Sequence, residues 1–447
     1  MRFVAIAAIL AAQVATALLI TQSATIATVH ALVTLTVGLW FACTSTLRRV
    51  AFVCAYIAGN EVLWRISKAL LPWEFGKYAI CLLILVSLGR TARLRWDWAA
   101  IGYFALLMPS TVIAFSESDF SFARQQVSFN LSGPFTLALA TWFFGSWKLS
   151  RGDLQRVVIA LLAPLAGLAA VTLTHAARAE DITFSDASNF QTSAGYGPNQ
   201  VSTALGLGAL LAILLVLLID RGIRERLLFL GVAALLAVES ALTFSRGGLF
   251  SAFGALLIAA PFVMRGARNR VAVLCGAVIL VLVLDVVVLP RLDALTSGAL
   301  STRFQDTDPT GRGELMRNEL NTFAENPVFG VGPASLDELG VVSTSTHTEF
   351  TRLAAQHGIF GIGALLIMLL IAARDFARQP SAAAKAVCVA LITWSLLTMG
   401  HAAMRLSIVP FVFGLAAGIF FLFGNENSQG AATSATAGAA IDAGASA

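Results

Sequence analysis

Charge is scarce in this 447-residue chain. Asp, Glu, Lys and Arg together make up 12% of it, roughly half the usual fraction, while 57% is hydrophobic and the mean hydropathy is +0.80. That deficit excludes a soluble globular enzyme and points to a polytopic membrane protein. Cysteine is equally sparse: Cys43, Cys54, Cys81, Cys275 and Cys388 all lie in or beside apolar segments, with no C-x-x-C pair and no histidine at ligand spacing. Disulfides and a zinc site give way to small apolar packing as their explanation. The chain opens Met1-Arg2-Phe3 and runs apolar to Ile20 without a convincing small-x-small cleavage site before the next hydrophobic run, so its start reads as a first transmembrane helix rather than a removed signal peptide. The net charge of +5 and pI near 9.2 come from short basic clusters between hydrophobic runs. They report topology, not a nucleic-acid partner.

What is abundant is hydrophobic length. A span needs about 20 largely apolar residues. Candidates lie near 3–20, 27–46, 50–64, 74–90, 97–116, 128–147, 154–175, 199–219, 226–244, 247–264, 270–289, 353–373, 385–401 and 406–423. Segment 50–64 is short and carries Asn60 and Glu61, so the expectation is an all-α bundle of about 12 to 14 spans. Arg48-Arg49, Arg90 to Arg95, Lys148 with Arg151, Arg221 to Arg226, Arg265 to Arg270 and Arg374 to Lys385 fall on alternate connections, which places these in the cytoplasm with both termini. Alternation puts Glu117 to Arg124, Arg178 to Pro198, the tight Ser245-Arg246-Gly247 junction and the interval Arg291 to Arg352 outside. The tail from Asn425 to Ala447 is Ala, Gly, Ser and Thr with almost no charge, a composition expected to stay disordered. Three divisions result: N-terminal spans over 1–198, a second membrane region over 199–424 containing the long outer loop 290–352, and the tail 425–447.

The outer interval holds five arginines, at 291, 303, 312, 317 and 352, against nine acids, and no lysine. Arginine without lysine favours planar, bidentate contacts such as those to phosphate, although loop arginines also make solvated ion pairs. Arg312 is flanked by glycines in Thr310-Gly311-Arg312-Gly313, which fits either close backbone approach to a ligand or an ordinary turn before a helix over Glu314 to Ala324. Thr346-His347-Thr348-Glu349 fits a capping box with Thr346 as N-cap and Glu349 at N3. His347 would then sit on the first turn of a membrane helix, where the dipole disfavours imidazolium and leaves a neutral ring able to act as a base; a capping-region histidine facing headgroups is the alternative. Arg246 lies between two apolar runs and precedes Gly247-Gly248, a pattern resembling a helix start opened for an anion; snorkelling to headgroups is its other reading. Asp306-Thr307-Asp308 has a metal-binding D-x-D form, but Pro309 follows and a turn explains it. His357 reads as a packing residue. Glu61, Arg65, Lys77 and Glu239 are membrane-depth charges without partners legible in sequence.

Taken together, Gly197-Pro198-Asn199-Gln200, Ser245-Arg246-Gly247-Gly248, Gly311-Arg312, Glu325-Asn326-Pro327 with Gly330-Val331-Gly332, and His347 entering a helix with Gly358 and Gly361 beyond it resemble the bacterial O-antigen ligase and polymerase superfamily over about residues 195 to 375. Thr348 departs from the asparagine that often follows the histidine there. The resemblance implies a GT-C-like, metal-independent membrane glycosyltransferase of the inner membrane, without a cofactor and with its active site facing the periplasm. The donor would be a glycan on undecaprenyl diphosphate and the acceptor, for a ligase, a sugar of the lipid A core oligosaccharide. His347 would be the general base and Arg246 and Arg312 would hold the diphosphate, with Arg303 and Arg317 in support. A polysaccharide polymerase is the neighbouring alternative, a protein O-oligosaccharyltransferase shares the motif region, and a lipid-linked glycan transporter is the reading from another class. The polar residues crowd one outer edge, whereas transporters set ionisable groups at mid-membrane in both halves.

Overall fold

The computed structural model describes residues 3–90, 95–179, 188–218, 222–264, 289–296, 298–305, 312–333 and 348–422. The helices are α1 (Phe3–Ile20), α2 (Ala24–Thr44), α3 (Leu47–Ile66), α4 (Phe75–Gly89), α5 (Trp98–Ala105), α6 (Pro109–Glu117), α7 (Phe120–Gly145), α8 (Arg151–Arg178), α9 (Pro198–Leu218), α10 (Ile223–Leu242) and α11 (Arg246–Val263). After them come α12 (Leu289–Leu295), α13 (Ala299–Gln305), α14 (Arg312–Glu325), α15 (Glu349–Ala377), α16 (Ala382–Met399) and α17 (Ile408–Leu415). Among the described residues eight helical segments are long and apolar enough to cross a membrane. The protein is therefore an all-α, multi-pass membrane protein. The expected span 270–289, Cys275 and the tail lie outside the described residues. The expected span 406–423 is instead the short α17 followed by a three-residue strand, Ile419–Phe421, which pairs in parallel with Lys148–Ser150.

One continuous apolar core joins the bundle. α3 packs on α8, α8 on α1 and α9, α9 on α10 and α11, α11 on α16, and α7 on α17 and α4. The short, polar segment 50–64 is part of the full-length helix α3, and its polar groups are partnered. Asn60 accepts from the Gln13 side-chain amide at 3.3 Å and donates to the Tyr56 carbonyl at 2.9 Å. The membrane-depth charges also find partners: Glu61 pairs with Arg65 at 2.6 Å, Lys77 with Glu74, and Glu239 accepts from the Thr172 hydroxyl at 2.9 Å. Cys54, Cys81 and Cys388 are buried as small packing groups, whereas Cys43 is exposed.

α8 starts sharply because Ser150 and Asp153 form a reciprocal capping box. α15 is broken near its start: Gly358 has φ +59°, outside the helical region. This break, the turn between α10 and α11, and the irregular segment 400–407 between α16 and α17 are where the bundle departs from regular helix. All three converge on one end of the molecule.

Candidate active site

The turn before Arg246 is the first component. α10 ends at Leu242, Phe244 takes a left-handed φ of +57°, and extended Ser245 caps α11. A bulky residue with positive φ costs about 1–3 kcal/mol. Phe244 is fully buried against Leu300 of α13, the helix carrying Arg303, and that packing offsets the strain. The turn's backbone is held from several sides. The Asn189 N–H donates to the Thr243 carbonyl at 2.9 Å, the Ser245 N–H to the Thr243 hydroxyl at 3.2 Å, and the Ser202 hydroxyl to the Ser245 carbonyl at 2.7 Å. Asn199 then accepts from the Ser245 hydroxyl at 3.3 Å and donates to the His401 carbonyl at 3.1 Å.

Arg246 is the first residue of α11 and is half-buried. The glycines after it are used differently from the expected anion opening. A Cβ on Gly247 would lie 2.4 Å from the His401 ring, and one on Gly248 2.0 Å from the Ser202 carbonyl oxygen. These positions are closed by His401 of segment 400–407 and Ser202 of α9, so the glycines let α11 sit close against both. The ring of His401 also meets the Ser251 hydroxyl at 3.0 Å.

The second component is the crossing of residues 326–333 over α15. At the Gly358 break the Ile359 N–H leaves its helical partner Ala355 and donates to the Pro327 carbonyl at 2.8 Å. The freed carbonyls of Ala355 and Gln356 accept from the N–H groups of Val331 and Gly332, each at 3.0 Å. Residues 326–333 thus supply the buried backbone partners that a broken helix loses. Below the break, His357 is fully buried with Nδ1 against the Ser110 hydroxyl, in keeping with a packing residue.

The start of α15 is the third component, and it differs from the expected capping box. Thr348, not Thr346, is the N-cap, accepting the Thr351 N–H at 3.3 Å, so Glu349 is the first helical residue and does not reach back to a cap. Its buried carboxylate pairs with Arg352 and accepts the Met404 N–H at 3.2 Å. Arg352 continues to Gln356 Oε1 at 2.7 Å and Asn130 Oδ1 at 3.0 Å, and Asn130 donates to the Pro333 carbonyl at 2.7 Å. His347, directly before the N-cap, lies outside the described residues, as do Gly311 and Asp306-Thr307-Asp308.

α14 lies across this start. Arg312 is its first residue; Arg317 is on its exposed face, while Glu319 and Thr322 are buried, Glu319 accepting from the Thr351 hydroxyl. The side chains of Arg303 and Arg312 lie outside the described ones. The structure therefore brings the backbones of α13, α14 and the Arg246 turn to the same end as the start of α15, and it leaves Arg317 facing outward.

Segment 400–407, where the expected spans 385–401 and 406–423 meet, ties these components together. Its main chain is read by side chains from three helices: Asn199 on His401, Glu349 on Met404, and Arg65 on the Arg405 carbonyl at 3.3 Å. Glu61 accepts from both the N–H and the hydroxyl of Ser407, at 2.6 and 2.7 Å. Arg65 further contacts the Tyr196 hydroxyl and Gln200 Oε1, each at 3.3 Å, and lies under the Trp73 ring at 4.5 Å. A half-open cleft between α7, α15 and this segment is lined by Asn130, Glu349, Arg352, Met404 and Arg405. Arg352 and Glu319 count in the outer interval by sequence without a role for either, and Arg405 is not singled out there; their partners lie far apart in the chain.

Among the described residues no group of three or more His, Cys, Asp or Glu stands close enough to hold a metal ion. The arrangement offers arginines near a helix start and a crossed, rigid floor. Residues 232–366 match the model of a family described as O-antigen ligase. The chain matches no curated protein.

Proposed function

Because residues 232–366 match the model of a family described as O-antigen ligase, we propose that this membrane protein is an inverting O-antigen ligase. Its donor is a glycan on undecaprenyl diphosphate, and its acceptor is a sugar hydroxyl of the lipid A core oligosaccharide, met on the periplasmic face of the inner membrane. The acceptor oxygen attacks the anomeric carbon as the bond from that carbon to the diphosphate oxygen breaks. His347 takes the hydroxyl proton, and the lipid diphosphate leaves with its new charge facing Arg246 and Arg312. Attack opposite the leaving group inverts the anomeric centre. Fixed guanidiniums carry the charge that a metal carries elsewhere, and transfer needs no cofactor. Arg303 supports the diphosphate from α13 beside the Arg246 turn, and Arg317 meets the more distant glycan from the outer face of α14.

The observation that carries this reading is that the matched segment holds both the Arg246 turn and the start of α15 with α14 across it, the turn and the helix start being tied to segment 400–407 through Asn199 and Glu349. Purified protein given lipid-linked glycan, lipid A core and excess chelator is expected to transfer glycan to the core. His347→Ala should abolish that transfer and leave lipid-linked polymer to accumulate. Normal transfer by this variant sinks the proposal, and a product of elongated lipid-linked chains reassigns the enzyme as a polymerase.

A further inference from the structure

Of the acids described in the interval from Arg291 to Arg352, Glu314 and Glu325 are exposed and Asp293 is half-buried, whereas Glu319 is 1% exposed. The other buried acid, Glu349, is paired with Arg352. Glu319 has no ion-pair partner among the described residues. One of its oxygens accepts from the Thr351 hydroxyl, and the other, Oε1, finds no hydrogen-bond partner there. Burying a carboxyl for a single neutral hydrogen bond is costly, and an aliphatic side chain would pack the same face more cheaply. Stability alone does not account for an acid at this position.

Its place in the chain of contacts does. Glu319 lies seven residues after Arg312 in α14, about 10 Å along the helix axis. Its partner Thr351 also meets the hydroxyl of Thr348, and Thr348 is both the N-cap of α15 and the residue after His347. A line of hydrogen bonds thus runs from the helix that Arg312 opens to the backbone directly beyond His347. Beside Glu319 the covered side of α14 carries buried Thr322 and half-buried Leu315, Asn318 and Phe323, none of them ionised. A directional carboxyl contact fixes what apolar packing leaves free.

We infer that Glu319 is a positioning residue that fixes α14, the helix that Arg312 opens, against the N-cap of α15. This deepens the proposed transfer reaction and rests on it, because a leaving-group cation and an acceptor base must keep a fixed distance. A displacement of about 1 Å costs on the order of 100-fold in rate.

The test uses the full-length protein in the reconstituted transfer assay. Glu319→Ala is expected to lower kcat by about 10-fold or more with the KM for lipid-linked donor little changed. Glu319→Gln keeps an oxygen for the Thr351 hydroxyl and should recover most of the rate. Thr351→Val should reproduce the alanine loss, and the double variant should lose no more than either single one. Wild-type turnover by Glu319→Ala overturns the inference, as does an equal loss in the Ala and Gln variants accompanied by lowered thermal stability. His347→Ala is run alongside. If it is inactive while Glu319→Ala is normal, only the positioning role falls; if it transfers normally, the transferase reading falls first.

Discussion

Gly330 and Gly358 pass each other with no room for a side chain on either backbone. A Cβ on Gly330 would lie 2.4 Å from the Gln356 carbonyl carbon, and one on Gly358 2.4 Å from the Val328 oxygen. Both residues also have positive φ, +68° and +59°. Alanine at either site meets a steric clash as well as backbone strain of about 1–3 kcal/mol. Gly330→Ala and Gly358→Ala are each expected to lower the melting temperature in detergent and abolish transfer. Full activity from either variant would refute the crossing as described.

Asn199 is expected to matter for Arg246 without touching substrate. It bridges the Ser245 hydroxyl and the His401 carbonyl, and two such bonds are worth roughly 1–3 kcal/mol together. Asn199→Ala should weaken donor binding while retaining expression and oligomeric behaviour on gel filtration. An unchanged KM for donor would show that the Arg246 turn holds without it.

The Glu61 and Arg65 pair is nearly sealed from solvent, with side chains 3% and 6% exposed. Removing one partner leaves a buried charge at a cost of about 3–5 kcal/mol. Glu61→Gln and Arg65→Met should each destabilise strongly, and the double variant should lose less than the sum. Thermal unfolding of the three variants checks this; additive losses would mean that the charges act independently.

Arg312→Lys is not expected to be conservative. Loss of a bidentate, charge-assisted contact of about 1.5–3 kcal/mol corresponds to a drop in transfer of roughly 10-fold or more. Arg317→Lys, on the exposed face of α14, should remain close to wild type under the same assay. Reversal of that order would move the diphosphate contact to Arg317.

Burial raises the Glu319 carboxyl above the ordinary glutamate range, with the Thr351 hydroxyl and nearby Arg352 pulling it part-way back and Glu349 adding to the rise. A raised carboxyl means that the folded state binds the proton more tightly than the unfolded chain does. Its contribution to stability is complete below the ordinary glutamate range and is lost as pH climbs through the raised value. Glu319→Gln removes this titration. Melting curves across a pH series should show the variant gaining on the wild type toward neutral pH and above, and parallel curves would contradict the assignment.

Much of this fold was legible because hydrophobic length is a strong signal: most of the long helices lie where continuous apolar runs predict them. The glycines of 330, 332 and 358 were legible as a pattern, but their reason, two backbones exchanging hydrogen bonds, joins residues far apart in sequence. The start of α15 was misplaced by two residues because Thr346-x-x-Glu349 and Thr348-x-x-Thr351 offer competing caps, and the Glu349 carboxylate is drawn to Arg352 and Met404 instead. Gly247-Gly248 looked open only because His401 and Ser202 approach from elsewhere in the chain. Segment 400–407 gave no local sign at all. Its order comes from Glu61, Arg65, Asn199 and Glu349 on three other helices, and no periodicity within the segment records them.

The break at Gly358 also bears on how the protein is made. α15 has 29 residues, about 43 Å of helix, against a hydrocarbon layer of about 30 Å. The part from Ile359 to Ala377 alone is close to that thickness and, beyond a first turn whose Ile359 N–H is held by Pro327, closes its own backbone bonds. The turns from Glu349 to His357 cannot finish in the same way, since Ala355 and Gln356 wait for Val331 and Gly332. Folding is therefore expected to divide at a single glycine: the segment after it can form as a helix alone, and the floor of the site waits for residues 326–333.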